Sequence, residues 1–230
     1  MTTIVSAFIF CPNNTNRTIE NYIKYGIQLL KLPQNKIIFI DEKVFEFVEE
    51  YQNKQTIFIK TKLEDLYLNK YKIKLEVNTD NPGKDSYDYF TIQCNKTEWV
   101  RQAINKNYFK STSFIWIDFG IYHILSNINL KNINKIYEKI RIPSIWNLNE
   151  TYNYDINKDI CWYFAGGVFG GSTNKLLQFA DLVKDKCIEY IVNKKHLMWE
   201  VNIWYLIWKK NNELFDPYYA DHNSSMVENY

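Results

Sequence analysis

The sequence predicts an α/β fold in which a mixed, mainly parallel central sheet is flanked by helices. Apolar runs and amphipathic segments alternate as β-α-β-α-β over residues 4–59, and parallel strands need such helical crossovers. The 230 residues are 46% hydrophobic and 17% aromatic, which is far richer than a disordered chain and sufficient for a sizeable core. We therefore expect one domain over residues 1–230.

The first half of the chain carries the clearest local signals. Four short apolar runs predict strands at residues 4–10, 36–40, 56–59 and 113–117. Helical periodicity marks residues 19–30 and 44–48, and Thr97 is placed to cap a further helix. Residues 61–86 are polar, rich in tyrosine and broken by a Pro-Gly pair, so they predict a helix and a mobile loop.

The second half mixes one ambiguous segment with two strong helices. Residues 131–142 predict a helix that runs into an edge strand, and residues 161–165 predict a further strand. Ser172 or Thr173 then caps a long helix with a buried apolar stripe. A last helix over residues 198–210 is apolar nearly all round, so we expect it to be buried.

Charge and composition exclude two classes of partner. The chain carries 28 Lys and Arg against 26 Asp and Glu, a net charge of +2, so it lacks the strongly basic surface that nucleic acid or an anionic membrane requires. Its 29 Ile, 27 Asn and 25 Lys reflect AT-rich codons. Clusters of lysine therefore carry little functional weight by themselves.

The sequence also predicts a cytoplasmic protein. The four cysteines are widely separated, form no zinc-binding spacing and are typical of a reducing compartment. The N-terminus lacks the basic flank of a signal peptide. No apolar run approaches the roughly 18 residues that a transmembrane helix needs.

The candidate site starts from Asp118, which ends the apolar run 113–117 and stands two residues before Gly120. Ligands of open α/β sheets collect at the carboxyl ends of strands, where carboxylates bind Mg²⁺ or Mn²⁺. Asp118 therefore either anchors a metal and a diphosphate or caps the following turn. Asp41 ends the second strand and has two interpretations as well, a ribose contact or a helix cap.

Three further features add candidate residues. Five of the seven glycines lie between Gly120 and Gly171. The cluster at residues 166–171 holds more glycines than a tight turn alone would need. Glu200 begins an apolar helix, where it either contacts a ligand or stabilises the helix N-terminus. His222 lies in a tail that either frays or folds over the cleft and binds the metal.

Four blocks of sequence stand in order across residues 94–222. They are Lys96-Thr97-Glu98-Trp99, residues 114–120, residues 165–172 and residues 199–204. Together they resemble the WlaTC/HtrL family, whose YibB-like members are assigned to glycosyl transfer in bacterial and viral surface-polysaccharide clusters.

The resemblance implies a single GT-A-like, Rossmann-related domain. Residues 1–120 would form its nucleotide-binding half, and residues 121–230 its acceptor and sugar half, with the C-terminal tail over the cleft. The implied activity is that of a glycosyltransferase of the hexosyltransferase type. It would move a sugar from a nucleotide-sugar, most often a UDP-sugar, to a glycan or glycoconjugate acceptor.

The same resemblance implies roles for individual residues. Donor and cofactor contacts are expected from Phe8, Asp41, Lys96, Arg101, Asp118 and Gly120. Sugar and acceptor contacts are expected from Gly166, Gly167, Trp199 and Asn202. Asp118 and Glu200 are the expected catalytic residues. Glu200 would deprotonate the acceptor hydroxyl in an inverting transfer, or stabilise the anomeric carbon or position the acceptor in a retaining one.

The implied cofactor is a divalent metal, Mn²⁺ or Mg²⁺, held by Asp118 and His222. The Asp-x-Asp motif of such enzymes is incomplete here, because Gly120 stands at its second acidic position. We therefore expect a metal that is weakly bound, a metal site completed by His222 or Asp221, or a dispensable metal.

Two other functions stay open at this point. A non-catalytic carbohydrate- or nucleotide-binding module derived from such an enzyme would also lack the second carboxylate. Another nucleotide-dependent α/β enzyme, such as a nucleotidyltransferase, would release pyrophosphate from a nucleoside triphosphate.

Overall fold

One seven-stranded sheet runs through the computed structural model, which describes residues 1–11, 18–71, 77, 79–125 and 130–230. The strands are β1 (Thr2–Phe8), β2 (Asn35–Asp41), β3 (Thr56–Thr61), β4 (Ser113–Ile117), β5 (Ile140–Ser144), β6 (Val168–Ser172) and β7 (Phe215–Tyr219). Their order is β3-β2-β1-β4-β6-β5-β7. β6 runs antiparallel to β4 and β5, and the other neighbours pair in parallel. The predicted mixed, mainly parallel sheet is confirmed.

Helices pack on both faces of this sheet. They are α1 (Ile19–Leu30), α2 (Tyr87–Cys94), α3 (Lys96–Lys106), α4 (Thr173–Lys194), α5 (Glu200–Trp208) and α6 (Ser225–Glu228). Successive side chains of a strand point to opposite faces. Val5 of β1 accordingly enters a core with α2, α3, α4 and α5, whereas its neighbour Ile4 enters a second core with α1 and α6. None of the helices in the described parts of the chain has the length and apolar character that a bilayer span needs.

A continuous row of aromatic rings fills the first core. Trp99 of α3 stacks on Trp116 of β4 with ring centroids 5.8 Å apart, and Trp116 stacks on Phe169 of β6 at 6.3 Å. Phe169 and Trp204 of α5 pack edge to face, with ring centroids 5.1 Å apart. All four rings are almost inaccessible to solvent. They tie α3, β4, β6 and α5 together, and the predicted burial of the last long helix is confirmed.

Thr97 does not cap a helix, contrary to the prediction. α3 begins at Lys96, Asn95 occupies its N-cap position, and Thr97 is buried in the first turn. The preceding helix, α2, gives no helical signal in the sequence because its residues form no apolar stripe. It begins after Ser86, whose hydroxyl accepts a hydrogen bond from the backbone N–H of Tyr89.

The strand predicted at residues 161–165 is absent. These residues form turns, and single backbone hydrogen bonds link Trp162 to Trp146 and Ala165 to Pro143. An apolar run this short cannot be distinguished from a buried loop by its periodicity.

Short 3-10 turns replace predicted helical segments in three places. They are Phe45–Phe47 and Glu49–Tyr51 for residues 44–48, Leu63–Asp65 and Asn69–Tyr71 within residues 61–86, and Leu130–Asn134 near the start of residues 131–142. Residues 72–76 and 78 of the predicted mobile loop lie outside the described residues. β5 is an inner strand rather than an edge strand, because β7 pairs with it on the outer side.

Two of the clustered glycines lie in β6 rather than in a turn. Gly171 has a φ of +155°, a conformation that other residues rarely adopt. A Cβ atom on Gly171 would lie 2.5 Å from the carbonyl oxygen of Lys139. Glycine is therefore required where β6 approaches the start of β5.

The substitution Gly171→Ala should destabilise the protein by about 2–4 kcal/mol, since it combines backbone strain with a clash against a carbonyl group. The free energy of unfolding in urea measures this loss. The neighbouring Ser172→Ala is the control. It removes one hydrogen bond, from the Ser172 hydroxyl to the carbonyl of Glu138, and should cost about 1 kcal/mol or less. Equal losses in the two variants would contradict the strain argument.

Candidate active site

A cavity of about 320 Å³ opens at the carboxyl ends of β1 and β4. Its walls come from the segments that follow these two strands, from the N-terminal ends of α3 and α5, and from the turn at Gly166 and Gly167. This edge is where ligands of open α/β sheets bind, and the position of Asp118 in the sequence predicts a site there.

The centre of the cavity wall is an ion triad of Lys96, Asp118 and Glu200. The Nζ atom of Lys96 lies 2.8 Å from Oε1 of Glu200 and 3.0 Å from Oδ1 of Asp118. It also donates to the carbonyl oxygen of Gly166 at 3.0 Å. The side chains of Lys96 and Glu200 are 4% and 3% exposed, whereas that of Asp118 is 36% exposed. Asp118 is therefore the member of the triad that solvent or a ligand can reach most easily.

Three separate elements bring the triad together. Lys96 is the first residue of α3, Asp118 directly follows β4, and Glu200 is the first residue of α5. The row of aromatic rings from Trp99 to Trp204 packs the same three elements against one another in the core.

The Lys96 ammonium is kept charged by its neighbours. Burial alone would lower the pKa of Lys96, but the carboxylates of Asp118 and Glu200 outweigh burial and raise the pKa above its ordinary value. An ammonium has three N–H donors, and those of Lys96 serve Glu200, Asp118 and the carbonyl of Gly166. Lys96 therefore holds protein groups in place and has no donor to spare for a ligand.

One oxygen of Glu200 is left for a ligand. Oε1 binds Lys96, whereas Oε2 is buried and has no hydrogen-bond partner among the described residues. An unsatisfied buried carboxylate oxygen is costly unless a substrate or water completes it. Glu200 also lines the cavity, so its carboxylate is the candidate proton acceptor of the site.

Gly166 allows the triad to close. A Cβ atom at this position would lie 2.2 Å from Oε1 of Glu200 and 3.2 Å from Nζ of Lys96. The neighbouring carbonyl of Gly167 accepts a hydrogen bond from the backbone N–H of Asp118 at 2.9 Å. Both glycines therefore lie beside the triad, and their contact with a substrate stays a prediction.

Aromatic rings form the rest of the wall. Phe8 stacks on Tyr22 and on Phe119, with ring centroids 4.9 and 5.6 Å apart. Trp199 also lines the cavity, and the ammonium of Lys84 lies 4.5 Å from the centroid of its ring. These faces are suited to flat rings and to the apolar faces of sugars.

The C-terminal tail also reaches the cavity. His222 follows β7, lines the cavity and packs on Trp162 with ring centroids 5.0 Å apart. The tail is ordered rather than frayed, because Tyr218 of β7 and Met226 of α6 are buried in the second core.

The structure corrects the placement of three expected site residues, since none of them lines the cavity. Asp41 accepts hydrogen bonds from the backbone N–H groups of Phe10 and Lys43. Arg101 pairs with Glu98 and with Asp181 of α4. Asn202 is buried and binds the backbone of Ile156, Asp159 and Cys161. Each of the three therefore makes a structural contact within the protein. The sequence alone does not distinguish such a residue from one that contacts a ligand.

Several lining residues had no signal in the sequence. They are Tyr22, Lys84, Tyr89, His123 and Trp162. Lysine and tyrosine are so frequent in this chain that single residues of either type do not stand out. Only the packing of loops from distant parts of the chain brings them to one cavity.

The described residues do not fit a metal held by protein ligands alone. Within the described part of the chain, no group of three or more His, Cys, Asp or Glu side chains lies close enough to bind an ion. Asp118 and Glu200 instead share the ammonium of Lys96, and Oδ1 of Asp118 also accepts a hydrogen bond from the Trp116 indole at 2.7 Å. The expectation of a metal on Asp118 and His222 finds no support in this geometry.

Comparison with protein families identifies the chain. Residues 69–222 match the family of bacterial proteins of unknown function known as HtrL_YibB. The chain belongs to the HtrL_YibB family. The resemblance drawn from the sequence blocks is thereby confirmed, and the matched region contains all three members of the triad. No curated protein matches the sequence.

Solved structures resemble this HtrL_YibB chain at low sequence identity. The apo form of mouse xyloside xylosyltransferase 1 matches with a TM-score of 0.54 and 11% identity, over 95% of this chain and 85% of that chain. 4-Diphosphocytidyl-2C-methyl-D-erythritol synthase from Anaerococcus prevotii DSM 20548 has a TM-score of 0.47 at 7% identity, over 96% and 87%. A glycosyltransferase involved in the glycosylation of the major capsid of PBCV-1 has a TM-score of 0.46 at 10% identity, over 94% and 80%. The xylosyltransferase likeness confirms the GT-A-like fold.

Breaking the triad should unfold the HtrL_YibB chain more easily. We expect Lys96→Met to lower the free energy of unfolding by about 3–5 kcal/mol, because it leaves the Glu200 carboxylate buried without its counter-ion. Adding Glu200→Gln to that variant should restore part of the loss, since the uncompensated charge is then removed. Urea denaturation measures both effects.

Lys62→Met is the matched control for this measurement. It breaks the exposed ion pair of Lys62 and Glu42, which are 53% and 48% exposed, and should change stability little because solvent screens that pair. Comparable losses for Lys62→Met and Lys96→Met would show that the buried triad is not a special stabilising contact.

Proposed function

We propose that the protein is a glycosyltransferase that moves a sugar from a nucleotide-sugar, first of all a UDP-sugar, to a glycan or glycoconjugate acceptor. The observation that carries the proposal is the unpartnered, buried Oε2 of Glu200 in a cavity at the carboxyl ends of parallel strands. The GT-A-like fold supports the same activity, although a fold alone does not determine function.

The donor nucleotide is proposed to bind along the half formed by residues 1–120. The stacked rings of Phe8 and Tyr22 and the backbone at Gly120 line that side of the cavity. The diphosphate needs positively charged hydrogen-bond donors. Those of Lys96 already bind Glu200, Asp118 and the Gly166 carbonyl, so Lys96 cannot serve this purpose. We assign this role to Lys84, whose ammonium lies over Trp199 at the cavity wall.

The acceptor is proposed to enter beside residues of the half formed by 121–230. Trp162, Trp199 and His222 all line the cavity and are the aromatic groups proposed to contact the acceptor sugar. Gly166 and Gly167 also line the cavity, and Gly166 lies directly beside the triad.

The triad supports a base-assisted displacement. Lys96 holds Oε1 of Glu200 and leaves Oε2 without a partner among the described residues, so Oε2 is the atom proposed to meet the acceptor hydroxyl. Oε2 takes the proton of the acceptor hydroxyl while its oxygen forms a bond to the anomeric carbon. The bond from that carbon to the diphosphate breaks, and the electron pair leaves with the diphosphate beside Lys84. This route inverts the anomeric centre and corresponds to the inverting alternative for Glu200.

A panel of nucleotide-sugars tests the function directly. Release of a nucleoside diphosphate together with a glycosylated product supports the proposal, and the donor consumed tests the hexosyltransferase and UDP expectations. Pyrophosphate released from a nucleoside triphosphate would indicate a nucleotidyltransferase instead. Stabilisation by glycans with no effect of any nucleotide would indicate a binding module. A cytoplasmic role in polysaccharide synthesis stays a prediction.

The substitution Glu200→Gln should slow transfer by about 10²–10⁴-fold, because the amide keeps the shape of the side chain but cannot accept the proton. Binding of UDP, measured by calorimetry, should change little. Glu98→Gln is the control, since Glu98 pairs with Arg101 away from the cavity and its loss should leave the rate unchanged. Undiminished transfer by Glu200→Gln would remove Glu200 from the mechanism.

The substitution Lys84→Gln should raise the Kd for UDP by about 10- to 100-fold, the range expected when a charged hydrogen bond to phosphate is lost. Uridine, which has no phosphate, should bind both proteins equally. Lys60→Gln is a matched control, because Lys60 lies 4.0 Å from the Phe45 ring centroid but does not line the cavity. If Lys84→Gln weakened uridine and UDP binding alike, the phosphate contact would be wrong.

A further inference from the structure

The ion triad places a lysine where an acidic metal site would hold its cation. Among the described residues that line the cavity, Asp118 and Glu200 are the two acidic ones. Both contact the same ammonium, that of Lys96. We propose that Lys96 takes the place of the divalent cation, so that sugar transfer by this protein proceeds without a metal. The inference rests on the proposed function and concerns which cation neutralises the carboxylates of its active site.

The contacts of Lys96 oppose a second cation beside Asp118. Both carboxylate oxygens of Asp118 lie within 3.3 Å of Nζ, and Oδ1 also accepts from the Trp116 indole. Mg²⁺ would need an oxygen of Asp118 at about 2.0–2.1 Å, and a divalent ion there would lie close to the ammonium. The ammonium cannot move aside easily, because its side chain is 4% exposed and is held by Glu200 and by the Gly166 carbonyl.

The local sequence agrees with this exchange of cations. Gly120 stands two residues after Asp118, so the second carboxylate that would help to hold a divalent ion is missing. Lys96 supplies one permanent positive charge to the remaining carboxylates. The charge of the leaving diphosphate is then met at the cavity wall by Lys84 rather than by a metal.

The decisive measurement uses the full chain and the donor found in the nucleotide-sugar panel. Transfer is measured after treatment with EDTA and again with added Mn²⁺ or Mg²⁺. We expect rates that agree within about twofold, whereas an enzyme that relies on a metal for charge stabilisation should lose at least about 100-fold in EDTA.

Variants of Lys96 provide a second readout that does not depend on activity. In Lys96→Ala, the two carboxylates lose their shared ammonium, and the vacated space is open to a cation. Mn²⁺ should therefore raise the Tm of Lys96→Ala by about 2–5 °C and leave the Tm of the wild type unchanged. Lys36→Ala is the matched control: Lys36 is also a buried lysine, but it binds the backbone carbonyls of Leu32 and Gln34.

Each outcome decides the inference. Equal transfer with EDTA and with Mn²⁺, together with an Mn²⁺ response confined to Lys96→Ala, supports it. Transfer by the wild type only with added metal overturns the inference and leaves the proposed function intact. Absence of transfer from every nucleotide-sugar under all conditions overturns both. If Lys96→Ala does not fold, Lys96→Arg replaces it in the thermal measurement. This variant keeps the positive charge beside Asp118 and Glu200, so Mn²⁺ should leave its Tm unchanged, and a rise in its Tm with Mn²⁺ would contradict the inference.

Discussion

The contact on which the site depends is the buried ammonium of Lys96 between the carboxylates of Asp118 and Glu200. A buried charge is tolerated only when it is paired and hydrogen-bonded, and here one lysine satisfies two acids and a backbone carbonyl. It joins the start of α3, the end of β4 and the start of α5 at one point. The wall of the cavity at the sheet edge therefore depends on this pairing.

The surrounding packing gives that pairing its geometry. The row of rings from Trp99 through Trp116 and Phe169 to Trp204 connects the same three elements through the hydrophobic core. Gly166 permits the carbonyl contact with Lys96, because any side chain there would collide with Glu200. Apolar stacking and one glycine thus hold charged groups at hydrogen-bonding distance.

In the proposed mechanism, the general base and the phosphate-binding cation are different residues from different parts of the fold. Glu200 has one oxygen held by Lys96 and one left for a substrate proton, while Lys84 brings positive charge from a different loop. A base and a phosphate-binding cation need different surroundings, since the base must keep a buried oxygen available and the cation must meet a charged ligand. The triad and the aromatic wall around Lys84 meet these two needs separately.

Local sequence by itself determined the alternation of strands and helices, the position of Asp118 after β4 and that of Glu200 at a helix start. These features follow from periodicity and from residues near one another in the chain. Tertiary structure alone decided that Lys96 lies between acids 22 and 104 residues away, and that Arg101 and Asn202 serve the scaffold. The physical reason is that the partner of a charged side chain is set by how distant elements pack, which no local pattern records.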